Sequence, residues 1–319
     1  MTHKKHICTY FDYNFLPRGL ALFHSIKRFH NEFDFYVLTF DDKTFDYLKG
    51  LNEANLKLIS FQEYNDYFQT SIDRFEDNKQ YYFSATSNIC LYILEQNPEI
   101  DLLLYLDADV FVFNSLDVLY KEVGAASIAY CSHRFTPIYR ILSKNHGRYN
   151  VGVNFFRNDE TSIKCLKDWQ YDCTNWYKGI PGYHLKYFSD QIFLDGWESK
   201  YNGVKIIENI GVDTAPWNIA NYCFRNIDGK FHVNDAPLVI YHFSYLKKIE
   251  NNKWNANTIY YFGSVKNVLQ DIYLSYITKV ESYGIDSNKY ATINLKFSWM
   301  KRFFYRVMGL YLNEIIEIK

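Results

Sequence analysis

The stretch LLLYLDADVFVF, Leu102–Phe113, carries ten apolar or aromatic residues and two acids, Asp107 and Asp109. A run this apolar reads as a buried strand. In a strand, residues i and i+2 point to one face, so the two carboxylates project together if the strand persists through Asp109. Two like charges in apolar surroundings are costly unless a cation offsets them. A divalent metal is the natural partner, since Mg²⁺ and Mn²⁺ favour carboxylate oxygen. The bland alternative ends the strand at Leu106 and leaves both acids as solvated turn residues. The apolar Val110–Phe113 that follows argues that the chain stays buried.

Upstream, the pattern alternates. His6–Phe11 is a β-rich run, and Pro17 is well placed in the first turn of a helix. Leu20, Phe23, Ile26 and Phe29 form its inner stripe at three-residue spacing. Phe33–Phe40 reads as a second strand, and DDKTFDYLKGL as a short helix whose first acids suit its dipole. NLKLISF is a third strand, and about Lys79 to Gln96 a longer helix stopped near Pro98. The order β-α-β-α-β-α-β with apolar strands predicts an α/β fold, with a mainly parallel sheet covered by helices on both faces. Ligands of such sheets sit beyond the carboxyl ends of the strands, where Asp107 and Asp109 fall.

Downstream, Ala125–Cys131 and Val151–Phe156 read as strands, ETSIKCLKDWQYDCTNWY as a helix, and Pro237–Phe243 as a late buried strand. The 319 residues are 48% hydrophobic with a formal net charge of −1, enough for a sizeable core and without the basic footprint of general nucleic-acid binding. Six scattered cysteines form no CxxC pair and read as reduced thiols. No apolar run approaches about 18 residues, and the start lacks a signal-peptide core, so the expectation is a cytoplasmic chain.

An acidic pair after an apolar strand suits a nucleotide-sugar site, where a metal bridges acids and diphosphate. It also suits an aspartyl phosphatase, where the first acid is the nucleophile. The phosphatase pattern wants Thr or Val at the place of Phe111 and lies on the first strand of its domain, not the fourth.

Four motifs in order then carry a resemblance. LLYLDADVFVF resembles the DxD strand of GT-A (Rossmann-like) glycosyltransferases, most of all the retaining family of glycogenin and the bacterial lipopolysaccharide galactosyltransferases. YNVGVNFF (Tyr149–Phe156) is similar to that family's Asn-x-Gly strand, SDQIFLDGW (Ser189–Trp197) to its Asp-Gln motif, and YHFSYLKK (Tyr241–Lys248) to its late His-Phe motif. ICTYFDYNFLPRGLALFHSI matches its opening strand and helix. The resemblance implies a catalytic domain over 1–248 that binds a nucleotide sugar. A C-terminal helical extension over 249–319 would follow it.

What the resemblance implies for the site is specific. Asp107, Asp109 and His242 would hold Mn²⁺ or Mg²⁺, with Asp107 also placed for the ribose. Lys248 would meet the diphosphate. Asn150 and Gly152 would line the sugar subsite, although a tight strand crossing with a capping Asn explains them too. Asp190 and Gln191 would flank the reacting carbon; Ser189 or Asp190 also serves as a helix cap. Thr9, Tyr10 and Asp12 are the candidates for the base subsite. Trp217 is a candidate acceptor platform or core residue. Two departures stand out. Tyr245 occupies the family's Gly position after the His, and Ile249 follows Lys248, which leaves Lys247 as an alternative. The family's basic residue before the DxD strand is not evident in YYFSATSNICLYIL, with Ser84 and Ser87 as weak substitutes.

The implied reaction moves a hexose from a UDP-sugar to a glycan or lipid-linked acceptor, with retention, in surface polysaccharide or lipopolysaccharide synthesis. Trp299–Tyr311 mixes Lys301, Arg302 and Arg306 with large apolar residues, as an interfacial or subunit-contacting helix does. That suits a peripheral contact at the inner face of the cytoplasmic membrane. Alternatives are a non-catalytic sugar- or nucleotide-binding scaffold and a sugar-1-phosphate nucleotidyltransferase. The latter needs a Gly-rich basic loop that Phe11–Gly19 does not supply.

Overall fold

A seven-stranded sheet organises the protein. The computed structural model describes residues 4–69, 78–142, 147–175, 190–250, 252–261, 263–285 and 315–318. The chain opens with β1 (Lys5–Phe11), α1 (Leu16–Lys27), β2 (Phe33–Thr39), α2 (Asp42–Gly50) and β3 (Leu56–Ile59). It continues through α3 (Phe61–Phe68), α4 (Asn78–Gln96), β4 (Leu102–Leu106) and β5 (Val110–Val112). Then come α5 (Asp117–Val123), β6 (Ile128–Ser132), α6 (Pro137–Leu142), β7 (Tyr149–Arg157) and α7 (Glu160–Asn175). A 3₁₀ segment, Asp190–Gly196, leads into α8 (Trp197–Lys200) and β8 (Val204–Ile207).

The sheet order is β3-β2-β1-β4-β7-β6-β8. All neighbours are parallel except at β7, which runs antiparallel to β4 and β6. The chain builds outward from β1 to β3 and then returns to the other side of β1 with β4. That reversal opens a crevice between the carboxyl ends of β1 and β4, the standard ligand position in such sheets.

Strand side chains alternate between two cores. Ile7, Phe35, Val37, Leu104 and Leu106 pack under α1 and α5 with Leu20, Phe23 and Leu119. Cys8, Tyr36, Leu38, Leu103 and Tyr105 face α4 and α7 with Ile89, Ile93, Leu166 and Trp169. Five of the six cysteines are buried and all are free thiols.

Three sequence expectations change in detail. The opening strand does not persist through Asp109. It stops at Leu106, where Asp107 N–H still donates to Gly152 O, and a turn closed by Val110 N–H to Asp107 O redirects the chain into β5. The segment Pro237–Phe243 is not one strand. β9 (Phe224–Ile227), β10 (Lys230–Val233) and β11 (Ala236–Pro237) form a small sheet, and β12 (Ile240–His242) pairs antiparallel with β5. Between them Leu238 and Val239 donate to Phe231 O and Gly211 O, which breaks the run. The Asp-Gln segment is a 3₁₀ turn rather than an α-helix.

Beyond His242, β13 (Lys247–Glu250), β14 (Lys253–Asn255) and β15 (Ile315–Glu317) form a three-stranded sheet, and α9 (Val268–Glu281) precedes β15. Among the described residues the C-terminal segment carries strands as well as a helix. Tyr273, Tyr276 and Ile277 of α9 share a buried cluster with Phe111, Tyr241 and Phe243. Among the described residues no helix is long and apolar enough to cross a membrane. Trp299–Tyr311 and Ser189 lie outside the described residues.

Candidate active site

The pairing of β12 with β5 brings His242 to the acids. His242 sits opposite Val110, and Phe243 N–H donates to Asp109 O. The imidazole therefore lands beside the turn that carries Asp107 and Asp109. Its Nε2 lies 3.1 Å from Asp109 Oδ1 and 3.6 Å from Asp107 Oδ2. One donor atom from each of the three residues falls within 4.8 Å of the others. The acids converge through a turn, not through strand pleating. They are half-buried rather than solvated, while His242 is buried.

Electrostatics fits three groups sharing one proton or one cation. Burial pushes the Asp107 carboxyl up to about 6, against the pull of His242. Burial acts on Asp109 likewise, but the attraction and hydrogen bond of His242 outweigh it and hold Asp109 below the usual carboxylate range. Burial disfavours the imidazolium, yet Asp109, Asp213 and Asp107 together raise His242 well above its ordinary value. Without metal, a protonated imidazole offsets the acids. With metal, the same two carboxylates and neutral imidazole make an oxygen–nitrogen donor set suited to Mn²⁺.

Supporting contacts fix the histidine. Asp213 is fully buried, and its Oδ1 lies 3.4 Å from His242 Nδ1. This leaves Nε2 for the acidic side. Asp213 adopts left-handed backbone (φ 53°), which Asp tolerates better than most residues. Arg134 and Asn218 hold that turn by donating to Asp213 O at 3.1 and 3.0 Å. The Trp217 ring stands edge-on to His242 with centroids 5.1 Å apart. Trp217 is buried in a cluster with Ala215 and Tyr261, so it backs the imidazole rather than offering an open platform.

Gly152 makes room for the imidazole. A Cβ there would lie 2.6 Å from both His242 Nδ1 and Asn150 Oδ1. Asn150 is buried. Its Oδ1 accepts Gly152 N–H at 2.7 Å, and its Nδ2 lies 3.3 Å from His133 Nε2. The close approach expected of the Asn-x-Gly strand is thus made first to His242.

The β1/β4 crevice forms a cleft of about 320 Å³ against the acids. Tyr10, Asp12, Phe40, Tyr82, Tyr105 and Asp107 are among its lining residues. Tyr10 and Phe40 meet edge to face at 5.3 Å, and Tyr105 donates its hydroxyl to Asp107 Oδ1 at 2.8 Å. Asp12 accepts from Phe15 N–H and Asn14 Nδ2 and so also shapes the turn into α1. Thr9 is fully buried and is not part of this lining. Ser84 and Ser87 are buried, and both donate to backbone carbonyls of α4.

Two cations near the acids were not both foreseen. Arg18, buried in the first turn of α1, places its guanidinium 3.9 Å from Asp109 Oδ2 and donates to Leu246 O at 2.5 Å. Lys248 instead pairs with Glu281 at 2.8 Å. Neighbouring residues of a strand point to opposite faces. Lys247 accordingly feels the charge of Arg18, and burial together with that charge lowers its affinity for a proton. Lys247 thus lies within reach of the charge of Arg18, while Lys248 is engaged by Glu281.

Asp190 is buried at the start of the 3₁₀ segment. Its Oδ1 accepts Gln191 N–H at 3.0 Å, and its carbonyl accepts from Trp169 Nε1. Burial, helped by the charge of Asp107, pushes its carboxyl up to about 8. Arg18, Asp213 and the ring pair Phe40–Tyr82 are the additions to the sequence-derived set. An arginine beside the helix-starting Pro17 and an acid inside apolar GVDTAPW were the available signals.

A parallel sheet with one reversed strand, an acidic turn after β4 and a late histidine returning to that turn define a GT-A glycosyltransferase. The family model "Glycosyl transferase family 8" matches residues 6–191, and the chain belongs to that family. It is 23% identical over 264 residues to the uncharacterized protein YfnD of Bacillus subtilis, covering 83% of this chain and 85% of YfnD. The galactosyltransferase LgtC, solved with donor and acceptor sugar analogs, superposes with a TM-score of 0.54 at 17% identity, over 93% of this chain and 99% of LgtC. The glycosyltransferase GlyE of Streptococcus pneumoniae gives 0.51 at 16% identity, over 92% of this chain and 66% of GlyE. These likenesses support the fold; the family carries glycosyl transfer from a sugar donor to an acceptor.

Proposed function

We propose that the protein transfers a hexose from a UDP-sugar to a glycan or lipid-linked acceptor, with retention and with Mn²⁺ or Mg²⁺. The observation that carries this reading is the convergence of Asp107, Asp109 and His242 beside an aromatic cleft. In it, Tyr10, Phe40 and Tyr82 enclose the base, and Asp12 and the carboxyl end of β1 near Thr9 bound its edge. Asp107 meets the ribose as well as the metal. Arg18 and Lys247 neutralise the diphosphate, with Lys248 one position further along the same strand. Asn150 and Gly152 set the wall of the sugar subsite by fixing His242.

Leaving-group departure puts negative charge on the diphosphate and positive charge on the anomeric carbon. A bound divalent ion supplies Lewis-acid stabilisation of the leaving group. Asp190 and Gln191 flank the reacting carbon, where a carboxylate stabilises developing positive charge and an amide orients hydroxyls. Burial disfavours the ionised form of Asp190 in the free protein, and positive charge developing beside it would favour that form.

The acceptor belongs to surface polysaccharide or lipopolysaccharide synthesis in this reading. The chain would work from the cytoplasm, with Trp299–Tyr311 touching the inner face of the membrane. A panel of nucleotide sugars incubated with Mn²⁺, with the product anomer read by NMR, tests the proposal. Turnover of a UDP-sugar that needs the metal and keeps the donor's anomeric configuration supports it. Metal-independent turnover or an inverted product refutes it.

A further inference from the structure

A second pocket, about 360 Å³, opens where β6 ends and β7 begins. Ser132, Arg134, Arg140, Arg148, Tyr149 and Asp195 are among its lining residues. Its volume falls at the lower end of the range for small-molecule sites. Three guanidinium groups around one pocket are a local feature in a chain of formal net charge −1. The nucleotide cleft, by contrast, is lined by Asp12, Asp107 and Asp109.

Position ties this pocket to the reaction. Ser132 pairs with Tyr149, and the order β4-β7-β6 puts both on the sheet edge that carries Asp107. Ser132 lies two strands from Asp107, roughly 10 Å across the sheet, and its partner Tyr149 stands three residues from Gly152, whose carbonyl accepts Asp107 N–H. His133, next to Ser132, contacts Asn150 at 3.3 Å, and its ring lies 5.4 Å from that of Trp217, which backs His242. On the other rim Gly147, at φ 75°, sits beneath the segment that starts at Asp190; a Cβ there would lie 3.2 Å from Gln191 O. The pocket therefore adjoins the segment that begins at Asp190, through Gly147, and connects to the surroundings of His242 only through His133 and Asn150 behind its lining.

The charges do not cancel. Arg148 faces Asp195, with Nε 3.8 Å from Oδ2, and lies 4.0 Å from Glu198. Arg134 donates to the carbonyls of Asn209, Val212 and Asp213, which carry no net charge. Arg140 makes no ion pair among the described residues. Three cations against two carboxylates leave an excess of one positive charge. A guanidinium fork matches the oxygens of a phosphate or carboxylate in two-point geometry.

We propose that this pocket anchors an oxyanion of the acceptor, so that the acceptor is a phosphate-bearing or uronic sugar rather than a neutral one. The anion anchors and does not react; a hydroxyl of the same acceptor is the group glycosylated. The proposal rests on the transfer reading above for its role, but not for the binding itself.

The test titrates the full chain, without metal, with glucose 6-phosphate, glucuronate and glucose by ligand-observed NMR. At least one anion should bind about tenfold or more tightly than glucose, a difference of one order of magnitude in Kd. That preference should shrink with added salt, as partly exposed charges require. Which anion wins separates a phosphate from a carboxylate acceptor. Arg140→Gln with Arg148→Gln should abolish the preference; both side chains are exposed, so the melting temperature should hold and is checked. Equal binding of all three probes, or an anion preference intact in the double variant, overturns the proposal. A melting shift with UDP and Mn²⁺ tests the donor reading separately. Loss of that shift with anion binding intact overturns the donor reading and, with it, the acceptor role. Loss of anion binding with the shift intact overturns the pocket assignment alone.

Discussion

Nδ1 of His242 lies 3.4 Å from Oδ1 of Asp213, an acid with no solvent exposure. The contact fixes which ring nitrogen carries hydrogen and turns Nε2 toward Asp109. Partners of this kind orient a metal-binding imidazole and raise its basicity. Asp213→Asn keeps the size and the tolerance for left-handed backbone but removes the charge. Mn²⁺ affinity should fall about tenfold to a hundredfold. Electron paramagnetic resonance titration of free Mn²⁺ measures it, and an unchanged Kd would remove Asp213 from this role.

Metal binding should release a proton. Asp109, Asp213 and Asp107 hold His242 protonated well above its ordinary range in the metal-free protein. A metal takes only the neutral imidazole, so Mn²⁺ uptake near pH 7 should expel about one proton. Affinity should rise with pH until the imidazolium is titrated. Below pH 6, protonated Asp107 adds to the loss of affinity. The charge pair also contributes stability to the metal-free fold. That contribution is complete below the unfolded histidine value, about 6.5, and is lost as pH rises through the raised folded value. Calorimetry in buffers of different ionisation heat counts the proton; binding heats independent of buffer at pH 7 would contradict the assignment.

Much of the fold was legible, because the signals that make it are local in sequence. Apolar strands alternating with helices fix a parallel sheet, and a parallel sheet fixes the edge where ligands bind. The break at Leu106 was not legible, because Val110–Phe113 is as apolar as Leu102–Leu106. One run feeds the main sheet and the other pairs with β12, and burial on both sides erases the difference. Helix α3 carried a readable sign, since Ser60 caps Glu63 N–H in a Ser-x-x-Glu pattern. Arg18 and Asp213 were harder. Each reaches the acids or the histidine through contacts that join distant parts of the chain, as Arg18 does through Leu246. That Lys248 is engaged elsewhere depended on which face of β13 meets α9, where Glu281 accepts from it.

Gly152 should tolerate no side chain. A Cβ placed 2.6 Å from His242 Nδ1 and Asn150 Oδ1 must displace one of them. Both are buried, so Gly152→Ala should cost about 1–3 kcal/mol of stability, the usual range for overpacking. It should weaken Mn²⁺ binding at the same time, because the imidazole is one of the two groups crowded. Urea denaturation and metal titration together check this. Native stability with native Mn²⁺ affinity would mean that the backbone yields instead.

Lys247 and Lys248 should separate in nucleotide binding. Lys247→Ala removes a cation beside Arg18 and should weaken UDP binding in the presence of Mn²⁺ roughly tenfold, the equivalent of one charge-assisted contact. Lys248→Ala releases Glu281 from a partly exposed pair and should weaken UDP less. Fluorescence titration with UDP ranks the two. The reverse order would return the diphosphate contact to Lys248.

Asp190 should make the fold sensitive to alkaline pH. Its carboxyl titrates at about 8 because burial disfavours the charge and Asp107 adds repulsion. An acid whose folded value is raised imposes no cost while it is neutral in both states. The cost grows above the unfolded value, about 3.9, and levels off above the folded one. Asp190→Asn keeps an oxygen for Gln191 N–H and removes the charge. The variant should therefore melt higher than the parent at pH 8.5, with little difference at pH 4.5. The gain should be about 2–4 °C for each kcal/mol relieved. Transfer activity should fall in the same variant, since the strain at Asp190 is relieved when positive charge develops beside it. A melting difference that does not grow with pH would show that Asp190 is ionised without cost, and would leave the carboxylate no reason to favour the reacting centre.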